Sequence, residues 1–504
     1  MERIDRVNND LEYLEICHQY VNSLKDGHVS FRFPSNFVTQ APIRVDIYDG
    51  KPTIENLSAA MIALGLRAGD EILTFNGEPA DKVIESLYPY TGYGSNPRGE
   101  RRWASDYLFF RPQSVFPRAP QLPDTSTVTV RHADGTEATV EVPWTKTGEP
   151  FVTYGTVPEF FTGLGRSTAS VDAVNGTMTS PLPEDAQEWE KGMMALGHSA
   201  RPATEYDRGV RNYGAFAPAY SLPTGFVLRR GTLASDPFVT GWYPAGTKRI
   251  GYIRLPNMSP ASFAGALQIL EQEIQFLQEN TDGLVVDVMR NTGGIIIYGH
   301  EVARRLIPTP FRGIGFELRA TATRLASLSA ERASLANSGA PQWALDHYDA
   351  LIADIREAIK GTRQRTGPLP LNMPSLDVQP AAVVYTKPLI VLIDEFSVST
   401  ADLFPALIQD AGRGTLVGWR TGGLGGTNGA YSAGALTESQ VGVTFGLMVR
   451  PKAIASEYGT TNYIENVGVR PDIELDIMTN ENRATGGRPF VNAFTDIILD
   501  KIGR

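Results

Sequence analysis

Residues 394–413 read DEFSVSTADLFPALIQDAGR, and three hydroxyls, Ser397, Ser399 and Thr400, crowd the point where an apolar run gives way to a helical pattern. Ser399-Thr-Ala-Asp402 has the form of a capping box, so an ordinary helix cap explains it. A hydroxyl at a helix start also lies among unpaired backbone N–H groups at the positive end of the helix dipole. That is where a developing oxyanion is best stabilised. A second junction of this kind lies upstream, where Arg290-Asn-Thr-Gly-Gly294 follows the apolar run 282–289. Paired glycines let a backbone approach a ligand closely and turn its amides outward. Two neighbouring parallel strands would bring nucleophile and donors to one C-terminal sheet edge, the edge at which open α/β sheets bind ligands.

The elements needed for this are legible. Lys248–Leu255 is a strand pattern, 262–280 an amphipathic helix and 282–289 a buried strand, with a further helix beginning at Ile295. Strand, helix, strand, helix implies a βαβ unit and a parallel sheet. The core resumes at 382–393, runs through the hydroxyl cluster, and continues to about residue 478. Between these parts, 318–378 is rich in Ala, Arg and Glu and reads as a helical insertion. Near the start, apolar residues at helical spacing (Leu11, Leu14, Ile16, Tyr20, Leu24) give a helix over 5–24 that stops at Asp26-Gly27. His28–Phe33 then alternates with period two, as a strand does.

Residues 41–146 form a small β-rich module. It contains Leu64-Gly-Leu-Arg-Ala-Gly-Asp-Glu-Ile-Leu-Thr-Phe-Asn-Gly-Glu-Pro79, with an Asn-Gly hairpin signal, a helix over 81–87 and a second hairpin at Ala133-Asp-Gly135. This resembles a PDZ domain, which implies contact with an extended peptide by strand addition. Residues 147–245 carry Gly, Pro and Thr without clean periodicity, and irregular strands with long loops are expected there. The division read from the sequence is thus 1–40, 41–146, 147–245, 246–480 and a C-terminal helix over 481–504.

The ordered motifs are more specific than any one of them alone. A buried strand with Arg-Asn-x-Gly-Gly comes first. An apolar strand with Ser-x-Ser-x-x-Asp-Leu-Phe follows, and then Gln409-Asp-Ala-Gly-Arg-Gly-Thr-Leu-Val-Gly418. Together they resemble the C-terminal processing (tail-specific) serine peptidases. The resemblance implies a mixed α/β fold: a βαβ core of the ClpP/crotonase-like kind with an inserted PDZ-like module and a helical insertion. It makes Ser399, rather than Ser397, the nucleophile. The backbone N–H of Thr400 and that of Gly293 or Gly294 would be oxyanion donors, with Asn291 supporting the turn.

One motif departs from the family. Its Thr-x-Gly-Lys-Gly loop, whose Lys activates the serine, is here Thr421-Gly-Gly-Leu-Gly-Gly426, with Leu424 in the place of Lys. Leucine accepts no proton, so either another base serves or the chain is a silent peptide-binding protein on the same fold. Histidine is the natural substitute, with an ordinary pKa of ~6.5. Of the six histidines, His18 falls inside the first helix, His132 in a hairpin, His198 in the irregular region and His347 in the insertion, where a solvated side chain is expected. His300 opens His-Glu-Val-Ala-Arg304, which lacks the second His of a zinc motif. His28, in Lys25-Asp-Gly-His-Val-Ser30, remains. Read alone it is a turn residue. A branch of the family that works with Ser, His and Glu has similar segments: Gly-His-Val-Ser-Phe, Phe-Pro after the nucleophile, and Tyr463-Ile-Glu-Asn-Val-Gly-Val-Arg-Pro-Asp472. That likeness implies a triad of Ser399, His28 and Glu465.

Composition sets the outer limits. The 504 residues suit two to four domains at ~150 residues each, and 42% hydrophobic content can fill large cores. A net charge of −10 argues against a nucleic-acid surface, and no run approaches the ~18 apolar residues of a membrane span. The single cysteine, Cys17, excludes an intrachain disulfide. No metal or cofactor is expected. The expected partner is a protein or peptide substrate, and the family resemblance allows a homodimer. The resemblance suits an extracytoplasmic protein whose leader is absent from this sequence, and a cytoplasmic one is equally compatible with the composition.

Overall fold

The computed structural model describes residues 4–7, 9–33, 35–94, 96–151, 182–196, 213–233, 235–432 and 439–503. The chain divides into two compact units. The first holds Met1–Thr177, Ala430–Val443 and Ile477–Gly487; the second holds Met178–Gly429, Thr444–Asp476 and Arg488–Arg504.

In the first unit, helix Asp10–Asn22 begins at Asn9, whose side chain accepts the Glu12 N–H at 3.0 Å. Leu14 and Val21 of this helix pack with Val29, Phe31 and Phe33. Strand Ser30–Arg32 pairs antiparallel with Gln440–Gly442. The β-module is a sheet of Ile43–Tyr48, Lys51–Leu57, Glu71–Phe75, Thr125–Arg131 and Glu137–Pro143 in that order. Asn76 and Gly77 take positive φ (50° and 83°), making the tight turn expected from their dipeptide. Helix Pro97–Asp106 went unread in the sequence. Its buried residues include Glu100, Arg102 and Asp106 beside Trp103 and Ala104, so charged as well as apolar groups face inward. Arg102 grips Asp46 with two bonds of 2.9 and 2.7 Å.

The second unit is built on a seven-stranded sheet. The order is Val227–Arg230, Val239–Ala245, Lys248–Arg254, Gly283–Asp287, Leu389–Ile393, Thr415–Gly418, Ile473–Glu474. From Lys248–Arg254 onward each neighbouring pair is parallel. Gly283–Asp287 and Leu389–Ile393 are buried along their whole length, which is why they read as unbroken apolar runs. They are direct neighbours, with Asp287 opposite Leu392, so the turns that follow them emerge side by side.

One expectation needs correction here. Within 147–245, the described part is more regular than expected. Strands Val227–Arg230 and Val239–Ala245 join the sheet, and helix Glu188–Ala195 puts Met193 and Met194 into its core. The insertion is a helical hairpin, Ala322–Asn337 and Gln342–Lys360. Its Leu328, Leu335, Tyr348, Leu351 and Ile355 belong to the same core, so the expected helical insertion is packed into the second unit.

Candidate active site

The turn after Gly283–Asp287 is fixed from below. Buried Asp287 accepts the hydroxyls of Tyr220 and Tyr252 at 2.9 and 2.8 Å and pairs with Arg254 at 3.0 Å. Its other oxygen takes the Met289 N–H at 2.8 Å. Asn291 then braces the turn: Nδ2 donates to Leu255 O (2.8 Å), Oδ1 accepts from Gly293 N (2.8 Å), and its carbonyl accepts from Val398 N (3.1 Å). The neighbouring turn is stitched to it. Ser397 Oγ donates to Val288 O at 2.8 Å and accepts the Asp394 N–H at 3.1 Å. Asp394 Oδ1 in turn accepts the Arg290 N–H at 2.8 Å. The first hydroxyl of the pair is thus a structural strap between two turns.

Ser399 stands at the start of helix Thr400–Asp410 with φ 59° and ψ −119°, the left-handed side of the map, which a residue with a Cβ occupies at a cost of ~1–3 kcal/mol. Its N–H donates to Asp402 Oδ2 at 2.7 Å, so the acidic half of the capping box is present. Thr400 Oγ1 donates to Gly294 O at 2.8 Å, locking the glycine turn to the helix start. Gly293 fits only because it lacks a Cβ, which would lie 2.7 Å from Ser399 Cβ and 3.0 Å from Thr400 N. Its own N–H is engaged by Asn291, which leaves the Gly294 amide as the better candidate donor of the two.

The loop around Leu424 is held by the same carboxylate. Asp402 Oδ1 accepts from Gly423 N at 2.9 Å, Oδ2 accepts from Leu424 N at 3.0 Å, and the Thr421 hydroxyl also bonds to it. Burial pushes the Asp402 carboxyl up to about 6 against the pull of these donors. The loop then carries the turn that bears Glu465. Gly423 O accepts from Asn466 N at 2.7 Å, and Thr421 Oγ1 accepts from Val469 N at 2.7 Å. A Cβ on Gly425 would meet Glu465 N at 2.6 Å. Glu465 is half-buried in a turn whose next residue, Asn466, has φ 61°.

Ser399, Thr400, Gly293, Gly294, Asn291 and Glu465 therefore share the second unit, whereas His28 belongs to the first. His28 is buried, and its own N–H donates to Asp26 Oδ1 at 2.9 Å. Burial lowers its imidazole below the ordinary value, and the Asp26 carboxylate opposes that shift. The other described histidines have structural bonds. His18 faces Phe31 O and Asn22, His132 faces Asp70 at 2.8 Å, and His300 faces Ile296 O at 3.1 Å. His347 is a correction: it is buried, with Nε2 2.7 Å from Leu371 O, because its helix lays that face on the core. His198 lies outside the described residues.

Asp402 was visible in the sequence only as a cap. Its partners at 421–424 lie on another loop, and no local spacing announces them.

The comparisons with known proteins agree with this architecture. Residues 249–475 match Peptidase family S41, and residues 38–157 match the PDZ domain. The chain is 24% identical over 533 residues to a protein of Chlamydia trachomatis serovar D, covering 97% of this chain and 84% of that one. It is 23% identical, with the same coverage, to a protein of Chlamydia muridarum. Its fold is similar to that of mature CPAF complexed with lactacystin. The TM-score is 0.72 at 20% identity, over 99% of this chain and 91% of the other. The peptidase match spans the two stitched turns and the PDZ match the β-module, so the chain carries the core of a family S41 serine peptidase over residues 249–475 and a PDZ domain over residues 38–157.

Proposed function

We propose that the chain is an endopeptidase that cleaves proteins or flexible polypeptides with Ser399 as nucleophile, His28 as general base and Glu465 as the acid that orients it. The observation that carries this is the strained Ser399 backbone, presented at a helix start beside the Gly293-Gly294 turn. A strained nucleophile turn aims the hydroxyl outward while the following amides face the same space. In this reading Ser399 Oγ attacks the scissile carbonyl, and its proton passes to the His28 imidazole. The N–H groups of Thr400 and Gly294 receive the oxyanion. The imidazolium then protonates the leaving amine, and Glu465 fixes the tautomer and stabilises the positive charge. Leu424 excludes the lysine route, and the remaining described histidines have bonds of their own.

The PDZ domain is proposed to receive an extended segment of the substrate along a sheet edge. Ser399→Ala tests the core of the proposal. It is expected to abolish both peptide cleavage and labelling by a fluorophosphonate probe, while the melting temperature stays within a few degrees. Labelling that survives the substitution would remove Ser399 from the mechanism and favour a silent binding protein.

A further inference from the structure

We propose that Asp402 is a positioning residue for the hydrolysis: one carboxylate that holds the nucleophile turn, the Leu424 loop and, through that loop, the Glu465 turn in a single register. The proposal rests on Ser399 being the nucleophile. A helix cap needs one acceptor at the helix start, and Asp402 does more than that. Its Oδ2 accepts from Ser399 N (2.7 Å) and Leu424 N (3.0 Å), and its Oδ1 from Gly423 N (2.9 Å). The Thr421 hydroxyl completes the set. Two of these donors lie 21 and 22 residues away, on a loop with no helical role. Asp402 is itself fully buried.

The consequences reach both ends of the proposed machinery. At one end, the Ser399 N–H bond holds a backbone that would otherwise relax from φ 59°. At the other, Gly423 O takes the Asn466 N–H, and Thr421 Oγ1 takes the Val469 N–H, on either side of the turn that carries Glu465. Among the described residues, every group that meets the carboxylate is a donor: the amides of Ser399, Gly423 and Leu424 and the hydroxyl of Thr421. None is charged. The ionised form can accept from all of them, whereas a protonated oxygen faces at least one N–H with a hydrogen of its own. Burial raises this carboxyl to about 6, so its ionisation falls between pH ~5 and ~8, where an ordinary histidine also changes charge. Loss of the tether on acidification then adds a second proton to the one taken up by His28.

The full-length protein tests this. Asp402→Asn is expected to lower kcat about 100-fold, the effect of a displacement near 1 Å, with KM changed only a few-fold. Fluorophosphonate labelling should slow in the same ratio, and Asp402→Glu, which keeps the charge, should recover part of the loss. In the unaltered enzyme, log kcat/KM against pH should fall on the acid side more steeply than one proton allows, approaching a slope of two before the residual activity of the protonated form takes over; in Asp402→Asn the slope should be one throughout. A merely structural cap would shift the melting temperature and leave that slope unchanged. Unaltered kcat in Asp402→Asn, or a one-proton limb in the unaltered enzyme, overturns the proposal. The second result decides even if Asp402→Asn does not fold. Labelling that persists in Ser399→Ala, by contrast, overturns the assignment of the nucleophile itself.

Discussion

At the scale of single residues, neighbouring hydroxyls of identical type have been given different work. Ser397 is consumed by bonds to Val288 O and the Asp394 amide, and it is wholly buried. Replacing it with Ala should loosen the two turns without removing the attacking atom. Ser399→Ala removes that atom and, by the proposal above, all activity. In the proposed triad His28 bears the pH dependence of the base. Its pKa is depressed by burial, so the neutral, proton-accepting form persists to lower pH than in an ordinary histidine. The acid limb of kcat/KM should therefore have its His28 component below pH ~6.5. His28→Gln is expected to cut kcat by roughly 10²–10⁴-fold, the usual contribution of general base catalysis. A steady-state pH series on both proteins checks this, and a limb centred above pH ~7 would contradict the environment described for His28.

At the scale of elements, the loop 421–426 matters most, because it carries Leu424 in the place of the family's lysine and links Asp402 to the Glu465 turn. Glycine is required at 425 by close approach: a Cβ would lie 2.6 Å from Glu465 N and 2.8 Å from the Cβ of buried Ile464. Backbone and a packed side chain cannot yield as a flexible side chain can. Gly425→Ala should therefore push the Glu465 turn away and lower kcat about 100-fold if Glu465 orients the base. Gly367→Ala serves as the control, since nothing lies within 4 Å of its Cβ position. Equal kcat values for the two variants would detach this loop from catalysis.

At the scale of the whole molecule, each unit has its own source of stability. The second rests on one large apolar core, from Met193 to Val469, that includes the helical hairpin. The first holds a buried ion pair of its own, Arg102 with Asp46, both about 1% exposed. Breaking such a pair strands a charge, so Arg102→Ala should destabilise the first unit by ~3–5 kcal/mol. Hydrogen exchange localises the effect. Protection should fall in Ile43–Tyr48 and Lys51–Leu57 and hold in Leu389–Ile393. A uniform loss across both regions would mean that the units do not unfold separately.

The sequence by itself determined the elements whose identity is local. Central parallel strands are buried on both faces and so are written as apolar runs, as in Leu389–Ile393. Tight turns are written in residues tolerant of positive φ, as in Asn76-Gly77. The ordered motifs around Gly293-Gly294 and Ser399 exposed the peptidase core, because a nucleophile turn needs its chemistry within a few residues. Tertiary structure alone decided what depends on partners far along the chain. It buried His347, placed Glu100, Arg102 and Asp106 on the inward face of a helix, and gave Ser397 a strap's role. It also joined Asp402 to a loop about twenty residues away. Hydrogen bonds and ion pairs between distant segments leave no periodicity in the chain, since their spacing is set by the fold and not by the helix or strand repeat.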